Sequence, residues 1–306
     1  MLPTPSFHHL HLNAVDPDAA IGFYTRQFPS TAAGTWGGHK ALLSPNNVML
    51  LFNRVDTPPA MSPPSAIWHF GWHVTDVRAN IAAYKARPEV VLRPLYTTDE
   101  GEFVLINSDT WPAPKGAAPG LTRAQIAEAK AANVQPVGGG GFAYMDGPEG
   151  ALVEYVGDFP KEHFDHVHLW QEDPFAALDW YQTHLNAPVR AGFVPPTPEQ
   201  RAAGRGTERS WPSLTVDGMF REPRAGVVFG DVVLTWYANQ WDTPLVPSRG
   251  QLQDHIGFSV PDLDAWIAKL RSEGVTFLED VYRLGDTRAI MIEGPSKEAL
   301  ELVEVR

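Results

Sequence analysis

The sequence predicts an α+β chain of four βαβββ units, arranged as two tandem modules with half-barrel sheets. Three observations carry this. FHHLHLNAVDPDAAIGFY (7–24) returns as FDHVHLWQEDPFAALDWY (164–181). HFGWHVTDVRANIAAY (69–84) returns as HIGFSVPDLDAWIAKL (255–270). DGPEGALVE (146–154) returns as EGPSKEALE (293–301). The three pairs keep their order in each half, as a duplicated unit does. The modules divide as residues 1–158 and 159–306, with the acidic GDFPKEHFD at the join.

Each half is itself double. A strand leads to an Asp-capped helix and then to further strands at residues 7–53, 67–156, 164–241 and 254–305. Period-two alternation puts Phe7, His9, His11 and Asn13 on one face of the first strand and His8, Leu10 and Leu12 on the other. The helix that follows has Asp16 as cap and Pro17 in its first turn, and it buries Ala20, Phe23, Tyr24 and Phe28. Its counterpart over Asp262–Arg271 carries the stripe Leu263, Trp266, Ile267 and Leu270. Later strands are NVMLLFN (47–53), GFAYMD (141–146), GVVFGDVVLTWYA (226–238) and AIMIE (289–293). The halves differ in their inserts. Residues 93–140 add a segment with a helix at TRAQIAEAKAAN and the flexible GGGG beyond it, and residues 191–224 add a Pro/Gly/Arg-rich loop. Long loops of this kind cover a site or reach a neighbour.

Bulk composition narrows the function. The chain has 306 residues, 43% hydrophobic and 20% charged, as in an ordinary globular protein. There is no cysteine, which removes disulfides, thiolate metal sites and cysteine nucleophiles together. A net charge of −12 without a dense basic block argues against nucleic acid. Neither a membrane span nor a basic-then-apolar leader is visible, so the expectation is a cytoplasmic protein with a small-molecule substrate, working as a monomer or homodimer.

The chemistry rests on histidines and two acids. Alternation groups His9 with His11, His69 with Gly71 and His73, His166 with His168, and His255 with Gly257. The apolar residues between them suit packing against helices, which leaves the histidines on the opposite, concave side. Glu154 and Glu301 stand inside the apolar runs ALVEYV and ALELVEV, where a carboxylate is costly unless a positive group meets it. Two imidazoles and a carboxylate form a ligand set for Fe(II), Mn(II), Co(II), Ni(II) or Zn(II). Each half offers one set: His9, His69 and Glu154, then His166, His255 and Glu301. Gly71 and Gly257 would leave room for a substrate. His11, His73 and His168 are candidate proton shuttles or substrate contacts, since imidazole titrates near neutral pH.

With these motifs in place, the chain resembles the vicinal oxygen chelate superfamily, which includes glyoxalase I, fosfomycin-resistance enzymes and extradiol dioxygenases. The resemblance spans nearly the whole chain. It implies metal ligation by His9, His69, Glu154, His166, His255 and Glu301. It also implies a divalent ion, Fe(II) by preference, that holds two adjacent substrate oxygens. In some relatives each module closes its own pocket; in others the halves exchange, and His9 joins His255 and Glu301. GFAYMDGPEGALVE matches the end of the extradiol signature at Tyr144, Pro148 and Gly150, while VGGGG before it lacks that signature's histidine. NVMLLFN and DVVLTWYA lack the carboxylate of a four-ligand glyoxalase I. The resemblance therefore implies a divalent-metal-dependent enzyme acting on a small substrate with adjacent oxygens, and the three-ligand count leans towards extradiol-type ring-opening dioxygenation. The alternatives are a glyoxalase-like lyase or isomerase, a resistance transferase, and a metal-free binder of the bleomycin-resistance kind.

Overall fold

A computed structural model describes residues 2–92, 96–97, 106–107, 131–132, 142–157, 159–191, 197, 199, 225–239 and 243–305. The sequence-predicted helix at TRAQIAEAKAAN, apart from its residues 131 and 132, and most of both inserts lie outside these residues.

The α+β class is as predicted, and the βαβββ order is seen in the first, second and fourth units, the second with an added small strand pair. The first unit runs β1 (Ser6–Ala14), α1 (Pro17–Gln27), β2 (Ala32–Trp36), β3 (His39–Leu43) and β4 (Met49–Arg54). The second has β5 (Ile67–His73), α2 (Val77–Lys85), β6 (Val91–Leu92), a small pair β7 (Tyr96–Thr97) and β8 (Ile106–Asn107), then β9 (Phe142–Asp146) and β10 (Leu152–Val156). The third shows β11 (His163–Gln171), α3 (Pro174–Leu185), β12 (Ala225–Phe229) and β13 (Val232–Ala238) among the described residues. The fourth is β14 (Gln253–Val260), α4 (Leu263–Ser272), β15 (Tyr282–Leu284), β16 (Thr287–Glu293) and β17 (Ala299–Glu304). Each helix starts where the sequence caps it: Asp16, Asp76, Asp173 and Asp262 accept from backbone N–H groups of the first turn. Such a cap stabilises a helix by ~1 kcal/mol.

Two large sheets result, and each takes one unit from either half of the chain. The first sheet has the order β15-β16-β17-β14-β1-β4-β3-β2, and the second β12-β13-β11-β5-β10-β9-β6. β1 pairs antiparallel with β14, and β11 with β5. Unit one thus joins unit four, and unit two joins unit three.

One apolar core binds the sheets and helices. It collects Phe7, Leu10, Tyr24, Phe28, Phe70, Trp72, Phe164, Val167, Tyr181, Trp236, Phe258 and Trp266 from all four units. At its middle Phe7 and Phe164, the same position in the two repeats, stack at 5.6 Å and 30°. Phe28 lies on Trp72 at 4.2 Å and 10°. No helix among the described residues is long and apolar enough to cross a membrane.

Strand faces differ from simple alternation at one kind of place. The β1–β14 register passes from Phe7↔Phe258 to His9↔Gly257, so His8 is an extra residue on β1. The same ladder skips Asp254 on β14, and the β11–β5 ladder skips Asp165 on β11 and Trp68 on β5. Each bulge therefore sits one residue before a histidine: His9, His255, His166 and His69. A bulge inserts a residue and re-aims its side chain. Phe7 accordingly joins Leu10 and Leu12 in the core, not His9 as alternation predicts, and His8 meets the His9 ring.

Candidate metal centres

The pairing of units decides which histidines meet. On the second sheet, β5 carries His69, β11 carries His166 and His168, and β10 carries Glu154. Glu154 Oε2 lies 2.8 Å from His69 Nε2, 3.4 Å from His166 Nε2 and 3.7 Å from His168 Nδ1. The four side chains offer ligand atoms within 4.8 Å of one another, and all four are buried. The Tyr144 hydroxyl, on β9, stands 3.3 Å from His69 Nε2.

The first sheet repeats the plan. His9 Nε2 on β1 is 3.2 Å from Glu301 Oε2 on β17, and His255 Nε2 on β14 is 4.0 Å from Glu301 Oε1. His9, His11 and His255 also bring ligand nitrogens within 4.8 Å of one another. The Tyr282 hydroxyl donates to Glu301 Oε1, and Trp36 packs on the rings of His8 at 4.4 Å and His9 at 6.2 Å. Side chains of the protein itself thus crowd this centre.

The within-half sets do not form. His9 meets His255 and Glu301, while His69 and Glu154 meet His166. This is the exchanged arrangement, and its cause is the β1·β14 and β11·β5 edges. Of the further candidates, His168 joins the second-sheet cluster and His11 the first. His73 sits apart, with Nε2 2.9 Å from Asp165 Oδ1. Gly71 and Gly257 do not make room for a substrate. Gly71 faces His166 in the register, and a β-carbon on it would come 2.6 Å from His166 Nε2. Gly257 faces His9, and a β-carbon there would run into the His9 ring. Each glycine is the floor on which the neighbouring imidazole lies.

Asp165 and Asp254 are functional candidates that alternation hides on the helix side. The bulges bring Asp165 Oδ2 to 2.8 Å from His166 Nδ1, and Asp254 Oδ1 to 2.6 Å from His255 Nδ1. A carboxylate behind an imidazole fixes its tautomer, so that Nε2 presents its lone pair.

Electrostatics mark the second sheet. Burial drives His69 down to about 4, against the pull of Glu154. Burial also opposes charge on His166, yet Glu154 and Asp165 together push it up to about 9. His168 falls well below the usual range through burial and then the charge of His166. Burial raises Glu154, but His166 and His69 outweigh it and hold the carboxyl well below its ordinary value. His166 Nε2 and His168 Nδ1 are buried without a hydrogen-bond partner. Buried polar atoms of this kind are rare in folded proteins unless something fills the gap. Imidazole nitrogens and a carboxylate oxygen converging on one point fit a divalent transition cation.

Two half-barrel sheets, each joining a unit from either half of the chain, with imidazoles and an acid on the face away from the helices, define a two-module protein of the glyoxalase type of fold. Residues 163–302 match the model of the Glyoxalase/Bleomycin resistance protein/Dioxygenase superfamily. That match covers the third and fourth units. Among solved structures it is similar to glyoxalase I from Zea mays, at 16% identity and a TM-score of 0.60, covering 98% of this chain and 92% of that one. A Bacillus subtilis protein named as a candidate dioxygenase is similar at 12% identity and a TM-score of 0.56, covering 99% and 86%. These likenesses describe the fold. No curated protein matches the sequence.

Proposed function

We propose that the protein is a divalent-metal-dependent enzyme acting on a small substrate with two adjacent oxygens, and that its working centre is on the second sheet. His69, His166 and Glu154 would hold the ion. The observation that carries this is the Glu154 carboxylate, buried with three imidazoles within 3.7 Å of Oε2. The first-sheet cluster would hold an ion through His9, His255 and Glu301, but Tyr282 and Trp36 crowd it. A cation at the second-sheet position supplies Lewis-acid binding of two oxygens and, as Fe(II), a place for dioxygen.

The chain's own residues supply the rest. Trp68 packs on His69 at 4.1 Å, and Tyr237 stands 5.3 Å from His168; with Trp170 they form an aromatic wall beside the centre. Such a wall suits a planar ring, so ring-opening dioxygenation of a catechol-like diol is the first reading. His168, kept neutral by burial, accepts the hydrogen bond of a substrate hydroxyl at Nδ1. Tyr144 offers a hydroxyl from the opposite strand.

A second reading rests on His168 as a fourth protein donor. In that role it takes a position dioxygen would need, which favours a non-redox lyase or isomerase. Metal analysis of protein purified without chelators, joined to oxygen uptake on a catechol panel, separates the two. Iron with substrate-dependent uptake supports the dioxygenase. Zinc, nickel or manganese without uptake, with turnover of thiol adducts of 2-oxoaldehydes, supports the second. Metal-free protein that rejects every ion on reconstitution overturns both and leaves a binding protein.

A further inference from the structure

We propose that His73, His163 and Asp165 form a further divalent-cation site, at the outer end of the β5–β11 pair and separate from both centres. The three offer ligand atoms within 4.8 Å of one another. His73 and His163 are directly opposite in the antiparallel register, and their rings lie 5.0 Å apart at 85°. Such a cross-strand imidazole pair brings two nitrogens to one point without distorting the sheet.

Each member is already oriented. Phe159 lies flat on the His73 ring at 3.5 Å and 7°, which fixes the plane of that imidazole. His163 donates Nδ1–H to the Lys161 carbonyl at 3.1 Å, a tautomer that leaves Nε2 as a free lone pair. The bulge at Asp165 turns its carboxylate so that Oδ1 meets His73 Nε2 at 2.9 Å while Oδ2 meets His166 Nδ1 at 2.8 Å. Both imidazoles are half-buried, so a cation reaches them from solvent. Two imidazoles and one carboxylate select Zn(II), Ni(II), Co(II) or Cu(II) over Mg(II) or Ca(II). The first repeat has Ser6 and His8 where this site has His163 and Asp165, so the first sheet carries no copy of it.

Asp165 is shared between this site and the back of His166. Occupancy of the outer site is therefore linked to the affinity of the central one, and by the same factor in both directions. The site stands whether or not the central cluster is catalytic.

Calorimetric titration of the full chain with Zn(II), after the central sites are loaded, tests it. The wild type takes up one further ion, and His163→Ala, which touches neither centre, loses it or binds it at least tenfold more weakly. His73→Ala does the same. Equal stoichiometry and affinity in wild type and His163→Ala overturns the proposal. Should a variant fail to fold, Cu(II) electron paramagnetic resonance on the wild type decides instead. Hyperfine coupling to two imidazole nitrogens at the additional equivalent supports the site, and its absence overturns it.

Discussion

The His9 ring lies across Gly257 of the neighbouring strand, in the space that a β-carbon would occupy. The His166 ring does the same over Gly71 on the other sheet. Gly257→Ala should push His9 away from Glu301, and Gly71→Ala should push His166 away from Glu154. Overpacking of this kind costs about 1–3 kcal/mol. Each variant is expected to lose metal at its own sheet only, read by elemental analysis beside a thermal melt.

Asp165 and Asp254 each stand behind one imidazole of a centre. Asp165→Asn and Asp254→Asn keep the shape but remove the charge, and metal affinity should fall about 10–100-fold at the corresponding centre. Competition with a chromophoric chelator measures this. Unchanged affinity would mean that the carboxylates only fill space.

Phe28 is fully buried against Trp72, with the first repeat's helix on one side and β5 on the other. Phe28→Ala should destabilise the protein by about 3–5 kcal/mol. Chemical denaturation followed by tryptophan fluorescence gives the value, and a loss under 1 kcal/mol would contradict the packing described.

Neither half of the chain contains a complete centre. Residues 1–158 hold His9 without His255 or Glu301, and His69 with Glu154 but without His166. The fragments 1–158 and 159–306, expressed apart, should therefore bind metal at least tenfold more weakly than the chain, and mixing them should restore binding. Full affinity in an isolated half would contradict the exchanged pairing.

Much of this was legible in the residues. The repeats fixed the unit order, the four Asp caps fixed the helix starts, and Glu154 and Glu301 stood out as acids in apolar strands. The bulges are harder to see, because an added residue leaves no compositional mark. Their trace is an odd spacing of core residues on one strand: Phe7 to Leu10, Ile67 to Phe70, Phe164 to Val167. Each apolar pair is three apart where alternation requires an even step. The pairing of units was closed to sequence for a different reason. All four units offer the same residue types at their shared edges, so either pairing satisfies the pattern.

Metal content of Glu154→Gln, Glu301→Gln and the wild type after exhaustive dialysis tests the central claim most directly. The account predicts one ion fewer in each variant than in the wild type, whatever the outer His73–His163–Asp165 site retains, with activity lost in Glu154→Gln and largely kept in Glu301→Gln. Equal metal content in all three proteins would contradict it.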